Sequence, residues 1–207
     1  MVDLNEIHLL RMTHINNIAH IVSYGITHAS SHKTNPYFEP IGDGSLISSR
    51  SAFILPNGRT LGDYIPFYFG VRMPMLYVVQ KGFNGVKITT AENIVYCISS
   101  VGLIVKHNLD FVFTDGHAVD LFSTFYNPPD VSKIKQLIDE KAIASKYWKD
   151  EKDLDLKRRK EAEFLVAGDI PISAIEGFAV YNTEAKAKLI GFGIQQDVIM
   201  IAPDFYF

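Results

Sequence analysis

Short runs of apolar residues recur along the chain and predict strands and helices in irregular alternation. β-Branched and aromatic runs favour strands at His8–His14, Ile65–Phe69, Asn93–Ser99, Phe111–Thr114, Glu163–Val166, Gly177–Tyr181 and Asp197–Ile201. Helical spacing of apolar residues predicts helices at Ile15–Val22 with Gly25 as a cap, Met75–Lys81 after Pro74, Val131–Trp148, and Thr183–Ile190 with Thr183 as its cap. Short elements of both kinds in this order are typical of the α+β class.

The segment Thr27–Tyr64 differs from the rest of the chain because it shows little periodicity. It is rich in Ser, Gly, Asn and Pro, and it is too long for an ordinary connection in a compact domain. We therefore predict a functional loop or lid. Two of its cations, Arg50 and Arg59, become candidates for contact with a ligand.

Composition describes an ordinary globular chain. The 207 residues carry a formal net charge of −3, and a chain of this length can form one core without disulfides or metals, so we expect a single domain over residues 1–207. Net acidity argues against indiscriminate binding to nucleic acid but leaves local cationic patches open. The single Cys97 lies in an apolar run and is expected to be a buried small hydrophobe, as in a reducing, cytoplasmic protein. An acidic N-terminus, and the lack of an apolar run of roughly 20 residues, argue against secretion and against a membrane location.

One carboxylate stands out by its context. Four consecutive cations, Lys157–Lys160, precede Glu163, which opens the apolar strand ending at Val166. An ionised group at such a boundary loses hydration unless a cation or a hydrogen-bond donor compensates. From the residues alone, a structural carboxylate with a satisfied partner is the favoured interpretation and catalysis is the alternative.

No common catalytic or metal-binding motif occurs. The histidines do not combine with carboxylates at a spacing that makes a persuasive metal site, so we expect no metal. Several polar residues nevertheless fall where apolar ones are expected, and their distribution suggests one assembled cleft: Thr13, His14, Arg50, Asp63, Thr114–His117 and Glu163.

Several strings carry a family resemblance, in this order along the chain: Arg11–Ile18, Leu61–Phe69, Pro74–Tyr77, Phe113–Ala118, Ala162–Val166 and the terminal pair Tyr206–Phe207. On these strings the chain resembles the DarT family of DNA ADP-ribosyltransferase toxins over nearly its whole length. The resemblance implies an ADP-ribosyltransferase fold, with short mixed or antiparallel strands forming a central NAD cleft between flanking helices. It also implies transfer of ADP-ribose from NAD to a base in single-stranded DNA, with thymidine the expected base and nicotinamide released.

The resemblance assigns roles to individual residues. Glu163 matches the catalytic glutamate, whose charge would stabilise the positive ribose as its bond to nicotinamide breaks. Arg50 matches the essential arginine, with Arg59 as the competing candidate in the same loop. Either Glu163 or Arg50 is implied in handling the acceptor proton; because an arginine is ordinarily protonated, we interpret Arg50 more readily as an electrostatic clamp. The implied NAD contacts are Arg11, Met12, Thr13, His20, His28 and Arg50.

Two segments are also implied. Residues from about 35 to 55 resemble the family's NAD-binding element, and residues from about 114 to 163 resemble its substrate-recognition region. For DNA, which needs cations for phosphates and aromatic faces for bases, the candidates are His117, Tyr147, Trp148, Lys157, Arg158 and Arg159.

The implied partners are single-stranded DNA and a DarG-like macrodomain antitoxin, and we expect a monomer. Two alternatives stay open: a related transferase or NAD glycohydrolase acting on guanine, RNA or protein, and a catalytically silent NAD-binding or nucleic-acid-binding module.

Overall fold

The computed structural model describes residues 2–207, apart from the side chains of residues 46 and 47. Its strands are β1 (His8–His14), β2 (Tyr64–Tyr68), β3 (Ile94–Ser100), β4 (Phe111–Thr114), β5 (Phe125–Tyr126), β6 (Glu163–Ala167), β7 (Gly177–Val180) and β8 (Ile199–Ile201). Its helices are α1 (Ile18–Tyr24), α2 (Gly44–Ala52), α3 (Pro74–Lys81), α4 (Val101–Lys106), α5 (Ile134–Leu137), α6 (Glu140–Ala144), α7 (Leu156–Lys160) and α8 (Thr183–Gly191). The predicted α+β class is confirmed.

The strands form one mixed sheet in the order β5-β4-β6-β2-β1-β3-β7-β8. Neighbours are antiparallel except β7 and β8, which are parallel. Helices and loops cover both faces of the sheet, so the side chains that a strand directs to either face are buried. In β6, Phe164 and Val166 pack into the main core, whereas Leu165 packs on the other face beside Leu61 and Tyr64. This two-sided burial explains why β6 is a continuous apolar run.

The pairing between β1 and β2, at the centre of the sheet, is short. β1 pairs with β3 along its whole length, but its register with β2 is confined, among the described residues, to Leu10 opposite Tyr68. Beyond that point the guanidinium of Arg11 donates to the carbonyl oxygen of Pro66 at 2.9 Å, in place of a backbone pair. Residues 11–13 of β1 and Ile65 and Pro66 of β2 line a cavity at this place.

The predicted helix Val131–Trp148 is wrong. The segment contains two short helices, α5 and α6, separated by Ile138 and Asp139 in extended conformation. Asp139 ends the continuity because its side chain accepts the amide of Ala142 at 3.0 Å and starts α6 as an N-cap. Apolar spacing continued across this break, and the spacing alone misled the prediction.

The predicted loop Thr27–Tyr64 contains helix α2, which apolar spacing did not reveal; Asp43 caps it by accepting the amide of Ser45 at 2.9 Å. Helix α8 begins as predicted, but its cap is Asn182, which accepts the amide of Ala185, and Thr183 is the first helical residue. Helix α4 and strand β5 were not predicted.

The cap at Gly25 is confirmed. Its φ of +78° lies in the left-handed region, its amide donates to Ile21 at 2.8 Å, and a Cβ there would collide with the carbonyl of Ile170.

Candidate active site

A buried ion pair joins the two residues that the sequence singled out as catalytic. Glu163 opens β6 and is fully buried, and side-chain alternation directs it to the face that it shares with Leu165. Arg50 lies on α2, and its Nη1 donates to Oε2 of Glu163 at 2.9 Å. The arginine side chain is 15% exposed and the glutamate 0%, so the pair is screened from water and strongly coupled.

The loop after β4 holds the other side of the carboxylate. The amide of Ala118 donates to Oε1 of Glu163 at 2.9 Å, and Nε2 of His117 lies 4.0 Å from the same oxygen. Thr114 fixes this loop, because its hydroxyl donates to the carbonyl of Gly116 at 2.6 Å and accepts the amide of Glu163 at 3.1 Å. Both carboxylate oxygens therefore have a donor, and the glutamate has one defined position.

The main cavity has a volume of about 470 Å³ and lies beside this pair. Arg50, His117 and Tyr68 line it, while Glu163 is not among its lining residues. The glutamate therefore meets the cavity through the arginine and histidine side chains. Tyr68 stands opposite Glu163 in the β2–β6 register, and burial, followed by the charge of Glu163, raises the pKa of its hydroxyl, which stays protonated.

All six residues predicted to contact NAD line this cavity: Arg11, Met12, Thr13, His20, His28 and Arg50. Two of them already use their rings within the chain. The ring nitrogens of His28 lie 2.7 Å from the carbonyl of Gly62 and 2.8 Å from Ser30 Oγ, and Nε2 of His20 lies 3.1 Å from Thr27 Oγ1.

Two guanidinium groups, those of Arg11 and Arg50, line the cavity. Burial lowers the pKa of the Arg11 guanidinium, and the nearby charge of Arg50 acts in the same direction. Nη2 of Arg50 is buried and has no hydrogen-bond partner among the described residues. Since a buried unsatisfied donor is costly, the pair of guanidinium groups fits an anionic ligand such as a diphosphate.

The competing cation, Arg59, lies elsewhere. Its guanidinium is 3.3 Å from Asp110 and stacks over the ring of Tyr64, and the side chain is about half exposed. Two other members of the predicted cleft also have local partners. Asp63 closes a capping box with Thr60, and His14 is 3.1 Å from Glu39. Of the two loop arginines, Arg50 is the one beside Glu163.

The cations before Glu163 are distributed unequally. Arg158 pairs with Asp115 at 2.9 Å and Asp155 at 2.7 Å, and Arg159 pairs with three carboxylates, Asp139, Asp153 and Asp155. Lys157 is exposed.

Lys160 is buried, and its ammonium donates to the carbonyls of Ile143 and Ser145 at 3.0 and 2.7 Å. The four-cation run is therefore not one solvated face, as a phosphate track formed by all four would require.

The two predicted aromatic contacts for DNA differ in environment. Tyr147 is exposed, with the ammonium of Lys146 5.8 Å from its ring centroid. Trp148 packs edge-to-face with Tyr77 and Phe207, with ring centroids 5.6 and 5.7 Å apart. The tryptophan thus also anchors the loop after α6 to the C-terminal residues.

Sequence reasoning missed two groups that organise the site. The Ala118 amide is a backbone donor and carries no residue-type signal. Asn17 joins the end of β1 to the loop at Glu39, since its side-chain amide donates to Thr13 Oγ1 at 3.0 Å and to the carbonyl of Glu39 at 2.8 Å. A polar residue at the start of an apolar helix was the available signal for Asn17.

Within residues 2–207, no cluster of three His, Cys, Asp or Glu side chains is arranged to hold a metal ion. No helix in the described part of the chain has the length and apolar character needed to cross a membrane.

Comparison with known proteins identifies the family. Residues 10–207 match the family model described as "ssDNA thymidine ADP-ribosyltransferase, DarT". DNA ADP-ribosyl transferases from Escherichia coli O127:H6 and Thermus sp. 2.9 are 30% and 34% identical to this chain, over 92% and 88% of its length and 87% and 85% of theirs. The structure of Thermus sp. 2.9 DarT in complex with ADP-ribosylated ssDNA superposes with a TM-score of 0.82 at 30% identity, over 97% of this chain and 96% of that one. The same protein in complex with NAD+ gives a TM-score of 0.80 at 30% identity, over 97% and 98% of the two chains.

The fold is thus that of an ADP-ribosyltransferase domain, and in this chain it contains the buried Arg50–Glu163 pair. The chain belongs to the DarT family of single-stranded-DNA thymidine ADP-ribosyltransferases. The predicted family, fold and enzyme class are confirmed.

Proposed function

We propose that this protein transfers ADP-ribose from NAD+ to a thymine base of single-stranded DNA and releases nicotinamide. The observation that carries the proposal is the Arg50–Glu163 pair beside a cavity of about 470 Å³. The volume lies within the range of roughly 300–1,000 Å³ usual for small-molecule sites. Family membership and the NAD+ and ADP-ribosylated DNA complexes of the Thermus relative support the substrates.

The residues present fit NAD+. Arg11 and Arg50 bring two guanidinium groups to the cavity, and the unsatisfied Nη2 of Arg50 offers a donor to a phosphate or ribose oxygen. Backbone groups of Met12 and Thr13, on the β1 edge that β2 leaves unpaired, offer further polar contacts. We assign residues from about 35 to 55, whose start is held by Asn17 and which include α2, to the NAD-binding element.

NAD+ supplies the ADP-ribosyl group and a nicotinamide leaving group, and its ribose becomes positively charged as their bond weakens. Glu163 opposes that charge with a carboxylate whose position is already fixed by Arg50 and Ala118. A fixed carboxylate needs no reorganisation at the moment of reaction, which is where such groups contribute most. Arg50 acts as the clamp that aligns Glu163 and holds the anionic part of the dinucleotide.

We assign recognition of DNA to residues from about 114 to 163. His117 is at the edge of the main cavity, and the exposed side chains of Lys157 and Tyr147 are available for a phosphate and a base. Arg158 and Arg159 are engaged by carboxylates, so we expect their part in DNA binding to be smaller. The paired charges favour weak, salt-sensitive binding.

We further propose that the protein acts in the cytoplasm as a monomeric toxin whose partner antitoxin removes ADP-ribose from DNA. The support is a relative from Thermosipho africanus, a DNA ADP-ribosyl transferase–DNA ADP-ribosyl glycohydrolase fusion protein. It is 27% identical over 87% of this chain and 44% of its own length. This fusion joins a transferase to a glycohydrolase that acts on ADP-ribosylated DNA, and such opposed activities are expected of a toxin and its antidote.

Incubation with NAD+ and single-stranded oligonucleotides tests the proposal. We expect a mass increase of one ADP-ribosyl group on thymine-containing DNA, and its loss with Glu163→Gln, which keeps the size of the side chain but removes the charge. Glu184→Gln is the matched control, because Glu184 is exposed on α8.

A panel that adds thymine-free DNA, RNA and no acceptor separates the alternatives. Modification of guanine or RNA, or release of nicotinamide without any acceptor, would replace thymidine transfer with one of the other activities. Unmodified DNA across varied sequences would refute the proposal.

A further inference from the structure

A second cavity, of about 430 Å³, adjoins the main cavity at His117. His117 lines both cavities, and Phe122, Leu154, Lys157 and Glu161 are among the other residues that line the second. Phe122 and Leu154 are 84% and 90% exposed. Two apolar side chains at the rim of a polar cavity provide faces on which a base can stack.

Glu161 is the carboxylate of this cavity to which no described residue donates a hydrogen bond. Its side chain is 9% exposed, and its ion-pair contact within the described residues is with Nζ of Lys157 at 4.0 Å, beyond hydrogen-bond distance. Burial raises the pKa of this carboxyl group. The charges that act on this pKa are those of His117 and Lys157, which lower it, Glu163, which raises it, and Lys160, which lowers it.

The two neighbouring glutamates are therefore in opposite situations. The two carboxylate oxygens of Glu163 accept hydrogen bonds from Arg50 Nη1 and from the Ala118 amide, which suits a fixed charge. Glu161 has oxygen lone pairs that no donor of the described chain occupies within hydrogen-bond distance, and it faces a cavity. A buried carboxylate without a donor is costly to keep, and such costs concentrate at functional sites.

We propose that the second cavity binds the acceptor thymine and that Glu161 is the general base that takes its proton. The inference rests on the proposed function. Thymine in a DNA strand retains one ring N–H, at N3. That proton passes to a carboxylate oxygen of Glu161, and the N3 electron pair forms a bond to the ribosyl carbon of NAD+. The bond from that carbon to nicotinamide breaks, and its electron pair leaves on the nicotinamide nitrogen. The proton is then released to water, which restores the carboxylate.

The arrangement divides two tasks between two cavities that meet at His117, where the two ligands come into contact. Arg50 and Glu163 serve the donor in the main cavity, and Glu161 serves the acceptor in the second. Arg50 then has no proton to accept, in agreement with the ordinary protonation of a guanidinium.

The test compares two target bases of different acidity. An oligonucleotide with one thymine is compared with one carrying 5-trifluoromethyluracil, which keeps a methyl-sized group but has a more acidic N3–H. Transfer rates at saturating NAD+ are measured for the wild type, Glu161→Gln and the exposed control Glu184→Gln. The pH is set between the N3–H pKa values of the two bases. A general base contributes roughly 10²–10⁴-fold, so we expect Glu161→Gln to slow transfer to thymine by about 10²-fold. For the trifluoromethyl base, which is already ionised, we expect a loss of less than about tenfold.

A merely structural role for Glu161 predicts equal losses on both bases, and that result would overturn the proposal, as would a full rate on thymine. If the wild type itself fails to modify thymine, the proposed function fails instead. Should Glu161→Gln not fold, Glu161→Asp replaces it. With this shortened carboxylate, we expect the rate of transfer to thymine to fall by an intermediate factor and the rate of transfer to the trifluoromethyl base to fall less. Equal decreases in the two rates would count against the inference.

Discussion

Replacing each loop arginine by alanine distinguishes the clamp from a surface cation. Arg50 and Glu163 are 15% and 0% exposed and 2.9 Å apart, and removing one member of a buried ion pair costs about 3–5 kcal/mol because the other charge remains buried. Glu163 keeps the hydrogen bond from the Ala118 amide. We therefore expect Arg50→Ala to lower the free energy of unfolding by the lower end of this range, about 3 kcal/mol. For a chain of this size that lowers the melting temperature by roughly 6–12 °C.

Arg59→Ala is the matched control. Arg59 and Asp110 are 47% and 75% exposed at 3.3 Å, and such surface pairs contribute about 0–1 kcal/mol. We expect a melting temperature within about 4 °C of the wild type and an unchanged transfer rate, whereas Arg50→Ala loses transfer.

The assays are thermal unfolding and the oligonucleotide mass shift, performed on the same preparations. A double variant, Arg50→Ala with Glu163→Gln, tests the cause. If the penalty arises from a buried unpaired charge, the double variant is more stable than Arg50→Ala alone. Equal melting temperatures for these two variants would refute the electrostatic explanation. Loss of transfer in Arg59→Ala together with full transfer in Arg50→Ala would refute the choice of arginine.

Two further predictions concern the segment before Glu163. Burial lowers the pKa of Lys160 from 10.5 to about 8. Between about pH 8 and 10.5 the folded state therefore binds fewer protons than the unfolded state. In that window this group makes the free energy of unfolding rise with pH. Urea unfolding across the window should show that rise in the wild type and a smaller one in Lys160→Met; identical slopes would contradict the assignment. A Cβ at Gly116 would lie 2.8 Å from Cγ of Arg158 and 2.9 Å from Ser123 Oγ, so Gly116→Ala should displace the guanidinium, lower the melting temperature and slow transfer by at least tenfold. Unaltered unfolding and transfer would show that the loop tolerates the methyl group.

Local pattern was sufficient where the chain is buried on one or both faces. The strand beginning at Glu163 and the helix beginning after Met73 follow from apolar runs and from a proline at the first helical position. Local pattern failed at residues 131–148, where Asp139 interrupts an apolar spacing that continues on both sides. It also failed at α2, whose stability comes from packing and capping and leaves no apolar stripe to detect.

For the site, the sequence supplied residue types and their order, and resemblance supplied their roles. A carboxylate at the start of an apolar strand had to have a partner, but several cations were available. Tertiary structure made the choice between Arg50 and Arg59, because Arg50, on α2, lies beside Glu163, whereas Arg59, in the loop after α2, lies beside Asp110.

The α+β class, most of the strands, and Glu163 as the residue to question follow from the amino-acid order, because they depend on local burial and on the cost of an isolated charge. Tertiary contacts, in contrast, reveal that Arg158, Arg159 and Lys160 have partners within the chain. They also place Glu161 at a second cavity, where no described residue donates a hydrogen bond to it. Contacts between residues distant in sequence depend on the register of the sheet and on loop paths, and neither is encoded in a local pattern.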